Sequence, residues 1–269
     1  IALARPEFVH KTPKQEATVV LVTDVSGSMT ATDIQPTRMD AAKTAAHTLV
    51  DKLPKGFRLS LVSFSAGVRT VVAPTTDRDL MDAAIDSLTP VGGTAMGDGI
   101  VEGIAASKLS TVDAKGQAVP TPTPTATANG EKPENPPVIM VLLSDGANTL
   151  GQTDPLDAAD QAKNEGIPIF TIALGTQDGV AIVTDNQGRQ RRVNVPPDEE
   201  TLKQIAEMTE GKFFSAPSAE DLQSIYNDLG SKIGYDETTS EATVGFAGFG
   251  ALAVLAAGAI SLLWFNRFP

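Results

Sequence analysis

Short apolar runs alternate with segments of helical period along most of the chain. Residues 17–23 (ATVVLVT) form a continuous β-rich apolar run, as in a strand buried on both faces. Residues 38–53 place Ala41, Ala42, Ala45, Ala46 and Leu49 at helical spacing, and Pro54 closes the segment. Residues 57–64 alternate apolar and polar, and 68–73 read as another strand. Helices are predicted over 77–88 and 94–109. Then follow a strand over 138–143 (VIMVLL), a helix over 155–164 and a buried strand over 168–174. A helix over 198–208 has acids in its first turn and Gly211 beyond its end, both favourable places. A short strand over 212–215 and a helix over 219–233 complete the series. Buried strands alternating with amphipathic helices predict an α/β fold, a doubly wound, mostly parallel sheet with helices on both faces. No internal repeat is evident.

Two insertions interrupt the alternation. Residues 110–137 include TPTPTATANGEKPENPP, whose Pro, Thr and Gly content predicts a disordered loop. It joins a helix end to a strand start, so it leaves the sheet at the edge opposite to ligand sites. It is a plain spacer, or else a glycosylated or partner-binding segment. In residues 180–195, two alternating runs flank Asp185-Asn186-Gln187-Gly188, which predicts a β-hairpin near the ligand edge. Arg189, Arg191 and Arg192 make it the most basic spot of the chain. It is either a solvated hairpin or a docking arm for an acidic partner.

The ends point to a membrane. Residues 243–265 (TVGFAGFGALAVLAAGAISLLWF) carry no charge. At about 1.5 Å per residue they can cross a hydrocarbon core of roughly 30 Å, so a C-terminal transmembrane helix is expected. Trp264 and Phe265 lie at its far end, with Arg267 beyond, as at a membrane interface. Ala253, Ala257 and Ser261 at every fourth position permit close helix packing in lipid. The chain begins at Ile1 rather than Met, and a preceding segment is expected. Residues 1–14 read as a flank whose apolar opening, IALA, fits the end of an upstream membrane helix or of a signal peptide. Charge divides on orientation: Arg267 favours a cytoplasmic C-terminus, whereas Arg5, Lys11 and Lys14 point the other way.

Composition narrows the chemistry. Among 269 residues, 33 acids against 21 bases give a net charge of −12, which argues against nucleic acid as a partner. Cysteine is absent, which removes disulfides, thiolate metal sites and cysteine nucleophiles. His10 and His47 are the only histidines, so a multi-histidine metal site is excluded too. His47 falls off the Ala/Leu face of its helix and is expected to be a solvated surface residue.

What remains is an oxygen set. Asp24-Val25-Ser26-Gly27-Ser28 follows the first buried strand, and Ser144-Asp145-Gly146 follows VIMVLL. Gly92-Gly93-Thr94 opens a helix between them in sequence. In a doubly wound sheet both strand-end loops lie at the edge where ligands bind. Asp24, Ser26 and Ser28, spaced by two on a tight turn, can converge on one point. With Thr94 and Asp145 they offer two carboxylates and three hydroxyls, a set suited to a hard divalent cation. Magnesium, manganese and calcium all accept such ligands. Each piece alone is also ordinary turn or helix-cap chemistry, and Ser26 and Ser28 have that competing role.

The motifs DVSGS, GGT and SDG resemble the metal-ion-dependent adhesion site of a von Willebrand factor type A (VWA) domain, over about residues 15–235. The resemblance carries Asp24, Ser26, Ser28, Thr94 and Asp145 over as metal-site residues. It implies a first shell of few negative charges, magnesium as the first choice of ion, and a distal aspartate acting through water. An open coordination position would then take a carboxylate from a partner protein. The stretches SGSMTATDIQPTRMDAAK and DEETLKQIAEMTEGKFFSA are similar to BatA-like bacterial membrane proteins, and FNRFP resembles actinobacterial, especially mycobacterial, members. That resemblance implies a domain held outside the cytoplasmic membrane. It also implies a MoxR-type AAA+ ATPase and other membrane proteins as partners, in envelope assembly or stress tolerance. The Thr/Pro-rich insertion departs from the plain pattern. No enzyme activity is expected, since no Ser–His–Asp arrangement or nearby base can be placed. The alternatives are a structural membrane subunit with a purely stabilising metal, and a metal-dependent hydrolase.

Overall fold

The computed structural model describes residues 7–13, 16–112, 137–184, 190–233, 235–241 and 256–258. The chain divides into two units, residues 14–234 and the joined flanks 1–13 with 235–269. In the flanking unit, β1 (Glu7–Pro13) pairs antiparallel with β10 (Tyr235–Glu241), Glu7 opposite Glu241 and Pro13 opposite Tyr235. Neither strand is among the elements expected from sequence, where residues 7–13 fall in a flank. EFVHKTP and YDETTSE lack the apolar alternation that marks a strand, and their pairing joins distant parts of the chain. The suggested upstream helix end falls on residues 1–6, outside the described residues. So does the spanning helix expected over 243–265, except for 256–258, which are helical. Among the described residues no helix is long and apolar enough to cross a membrane.

In the larger unit, β2 (Thr18–Asp24) is buried along its whole length. Val19 and Leu21 enter one core while Val20 and Val22 enter the other, so both faces must be apolar. It pairs in parallel with β3 (Arg58–Phe64) on one side and β5 (Val138–Ser144) on the other. The edge strand β4 (Val68–Thr75) runs antiparallel beside β3. On the other side β6 (Ile169–Leu174) and β9 (Phe213–Ala216) continue the parallel sheet, giving the order β4-β3-β2-β5-β6-β9. One face packs against α1 (Arg38–Lys52), α2 (Arg78–Asp86) and α6 (Ala219–Ile233). The other packs against α3 (Met96–Ser107), α4 (Pro155–Asn164) and α5 (Glu199–Met208). The expected α/β fold, a mostly parallel sheet between helices, is what forms. Side-chain caps fix several helix starts: Thr37 accepts the Asp40 N–H, and Asp77 accepts the Leu80 N–H.

Residues 113–136 of the long insertion lie outside the described residues. Its entry is tied to β4, where the Val112 N–H donates to Pro74 O (2.9 Å) and the Thr75 hydroxyl donates to Val112 O (2.7 Å). Its exit is tied to β2, where the Thr18 N–H donates to Pro137 O (2.9 Å). Both ends therefore sit where the parallel strands begin. The hairpin forms as β7 (Val180–Thr184) and β8 (Gln190–Asn194), paired antiparallel with Val180 opposite Asn194. Its turn, 185–189, and the Arg191 side chain lie outside the described residues, while Arg192 is exposed.

His47 departs from its expected solvated state. On α1 it lies between two carboxylates of α2, Nδ1 2.6 Å from Asp82 Oδ1 and Nε2 3.0 Å from Asp86 Oδ1. A helix-to-helix contact of this kind leaves no mark on the periodicity of either helix. Burial disfavours the imidazolium, but the hydrogen bonds and charge of Asp82 and Asp86 outweigh it and raise the His47 pKa. A raised folded pKa stabilises the fold fully below the unfolded value, about 6.5, and the effect is lost as pH rises through the folded value. The partners are partly exposed, so the gain is at most about 1 kcal/mol. In urea denaturation the loss of stability between pH 5.5 and pH 9 should be smaller in His47→Asn than in the wild type by this increment, the remainder belonging to other groups such as Asp24. An unchanged pH dependence in the variant would contradict the assignment.

Candidate metal centre

The strand order reverses between β2 and β5: the chain leaves β2 towards β3 and leaves β5 towards β6. Loops at the carboxyl ends of two such strands diverge and open a crevice. Asp24 ends β2 there and Asp145 follows β5, both wholly buried. Asp24 Oδ1 accepts the Ser26 N–H (2.8 Å) and turns the chain sharply. A short 3-10 turn, Gly27–Thr30, follows. The Ser26 side chain makes no capping bond to it. Instead the Ser26 and Ser28 hydroxyls lie 2.8 Å apart, and Ser28 donates to Asp145 Oδ1 (2.7 Å). Ser26 Oγ is 3.5 Å from the same oxygen. The competing role of these serines as helix caps is thus not the one the fold uses.

Thr94 arrives from a separate loop. Gly92 has φ +74°, a left-handed conformation that glycine adopts without strain. Its carbonyl accepts the Gly27 N–H (2.8 Å), and a Cβ on Gly27 would stand 3.3 Å from that oxygen. The Thr94 carbonyl accepts the N–H groups of Thr149 (2.9 Å) and Leu150 (3.0 Å), beyond Asp145. Its N–H donates to Thr149 Oγ1 (3.0 Å). These bonds spend the backbone on the loop, so the helix starts at Met96 and not at Thr94 as expected. Four of the five predicted residues are joined directly by hydrogen bonds; Thr94 is set beside them by its backbone. Its hydroxyl makes no hydrogen bond to another described residue.

Three participants went unrecognised in the sequence. The Ser144 hydroxyl donates to Asp24 Oδ2 (2.7 Å). Arg38 Nη1 donates to Asp145 Oδ2 (3.1 Å), and Arg38 also pairs with Asp33. Ser144 stands inside the quoted SDG motif. The signal for Arg38 was a basic residue opening a helix, where the helix dipole disfavours a cation.

Electrostatics test whether a cation fits. Burial, then the nearby Asp145 charge, push the Asp24 carboxyl up to about 7 against its hydrogen bonds. Burial raises Asp145 too, outweighing Ser28 and Arg38. Two carboxylates thus face a space that disfavours their charge, with hydroxyl oxygens around them. A divalent cation supplies the charge this set lacks, and all the donors are oxygen. Among the described residues no cluster of three or more acidic or histidine side chains has metal-ligand placement. A cation here would rest on hydroxyls as much as on carboxylates.

A sheet with a strand-order switch and an oxygen-lined site at that point defines a class of α/β domain that presents a ligand site on the sheet edge. A sequence model of the von Willebrand factor type A domain matches residues 18–228, and the chain belongs to that family. A UPF0353 protein of Nocardia farcinica is 37% identical over 278 residues, covering 100% of this chain and 78% of the relative. The crystal structure of BatB from Bacteroides thetaiotaomicron superposes with a TM-score of 0.63 at 21% identity, covering 80% of this chain and 98% of that one. Proximal thread matrix protein 1 of the mussel byssus, with a zinc-occupied MIDAS motif, superposes with a TM-score of 0.55 at 20% identity, covering 87% of this chain and 50% of that one.

Saturating magnesium or manganese should raise the melting temperature, and EDTA should reverse the rise. At a hundred times Kd the gain is about 2.7 kcal/mol, roughly 5–10 °C for a domain of this size. Asp24→Asn keeps the shape but removes one of two crowded charges. It should melt at or above the metal-free wild type and show no metal-induced rise. A rise of wild-type size in the variant would exclude Asp24 from the centre.

Proposed function

We propose that this chain is a membrane-anchored VWA protein that binds a partner protein through a divalent cation. Asp24, Ser26, Ser28, Thr94 and Asp145 hold the ion, magnesium first, with manganese and calcium as alternatives. The bound cation supplies an open position for a carboxylate of the partner. The observation that carries this reading is the inward turn of Ser26 and Ser28 onto Asp145, where helix capping would have turned them elsewhere. The chain's own residues do three things. Ser144 and the Ser26 N–H orient Asp24. Ser28 and Arg38 orient Asp145. The Gly92–Thr94 loop closes the third side.

The surroundings suit a protein ligand. Val91, Leu150 and Val193 are exposed apolar side chains on the Thr94 loop, the loop after β5 and the hairpin. The first two adjoin backbone that clasps the site: the Val91 N–H donates to Val25 O (2.7 Å), and the Leu150 N–H to Thr94 O. Exposed apolar side chains give a partner protein apolar area to bury beside the polar site. The uncharged segment 243–265 supports anchoring in the cell membrane. The BatA-like resemblance favours an extracytoplasmic domain acting with a MoxR-type AAA+ ATPase and other membrane proteins, in envelope assembly or stress tolerance. Interaction, not catalysis, is the role of the site. In the second reading the metal only stabilises a structural membrane subunit.

Crosslinking capture from membranes separates the two. With the full chain as bait, a partner should be retained in magnesium and lost in EDTA or with Asp24→Asn. Identical captures under all conditions would favour the structural role.

A further inference from the structure

Arg38 is the largest wholly buried side chain of the described residues, and it carries a charge. It opens α1, where the helix dipole disfavours a cation. A buried charge persists only when its partners are well placed. Arg38 Nε and Nη2 donate to the two carboxylate oxygens of Asp33 (2.8 and 2.7 Å). Nη1 alone reaches Asp145 Oδ2 (3.1 Å), Asp145 O (3.2 Å) and Val195 O (3.1 Å). Asp33 in turn accepts the Thr176 N–H (2.9 Å) and hydroxyl (3.1 Å).

The guanidinium thus bonds to three loops, those of Asp33, of Asp145 and of Val195 at the end of the β7–β8 hairpin, and Asp33 ties in a fourth at Thr176. The chain makes room for it. A Cβ on Gly175 would lie 2.4 Å from Arg38 Cζ, and one on Gly179 would lie 2.0 Å from Nη2. Gly179 O accepts the Val195 N–H (2.8 Å), which closes the hairpin base. β7 itself packs on the 3-10 turn that carries Ser28. Arg38 occupies Asp145 Oδ2, which leaves Oδ1 to Ser28 and the site.

We propose that Arg38 is a positioning residue of the metal centre and couples it to the hairpin, so that cation binding and the placement of the hairpin base depend on each other. This rests on the metal reading above. One planar group bonded to both Asp145 and Val195 cannot follow one without moving against the other. Coupling of this kind is reciprocal: whatever holds the hairpin in place tightens the cation by the same factor. Lysine, a single point donor, cannot hold Asp33 through both oxygens and still reach Asp145 and Val195.

The test uses the full chain and manganese alone, with calorimetric titration and hydrogen exchange at residues 180–195. In the wild type, manganese slows exchange of the Val195 amide. Arg38→Lys binds manganese at least tenfold more weakly, and its hairpin exchange no longer responds to the ion, while α3 amides stay protected as in the wild type. If Arg38→Lys does not fold, Gly179→Ala, which presses on the guanidinium without removing charge, should show several-fold weaker binding. Wild-type affinity in a folded Arg38→Lys or in Gly179→Ala would overturn the proposal. So would hairpin exchange indifferent to manganese in a wild type that binds it. A wild type that binds no manganese overturns the metal reading itself, a distinct result.

Discussion

Two carboxylates at the ends of adjacent central strands set the terms for the rest of the molecule. β2 and β5 run parallel in register, Thr23 beside Leu143, so Asp24 and Asp145 leave the sheet at one point. Both are buried, and each disfavours the charge of the other. Like charges in a medium of low polarity are costly unless hydrogen bonds and counter-charges answer them. Four groups at this edge are such answers. Ser144 and the Ser26 N–H serve Asp24; Ser28 and Arg38 serve Asp145. The answer is partial, since both carboxyls remain above their ordinary range. Carboxyls shifted in this way by burial and a neighbouring charge are frequent at functional sites.

The sheet supplies the rigidity that such a site needs. β2 contributes apolar side chains to both cores, so its carboxyl end has little freedom to move. The loops it presents are clasped to one another by backbone hydrogen bonds, Gly27 to Gly92 and Thr94 to Thr149 and Leu150. Binding groups on loops, fixed by a scaffold of buried strands, are the usual division of labour in open α/β folds. The Thr/Pro-rich insertion enters and leaves at the opposite edge, where its length does not disturb the centre.

Much of this was legible in the sequence because burial on both faces writes itself as continuous apolar runs. TVVLVT, VIMVLL and IFTIAL marked the central strands, and the Ala face of α1 marked its helix. The five candidate site residues were picked out by placing three short motifs at strand ends, and the structure brings the loops that carry them together. Pairings between distant segments were not legible. β1 and β10 lie more than two hundred residues apart, and neither has a pattern of its own. His47 looked solvated because its partners belong to another helix. Arg38 carried a signal in its place at a helix start, but its partners did not: Asp145 and Val195 are 107 and 157 positions away, and no local period announces a contact of that range.

The central claim is that a divalent cation sits among Ser26, Ser28, Thr94 and Asp145, with Asp24 beside it. Anomalous diffraction from crystals grown with manganese tests it most directly. The account predicts a strong anomalous peak enclosed by those side chains. At saturating manganese, no peak there, or peaks only on surface carboxylates, would contradict it.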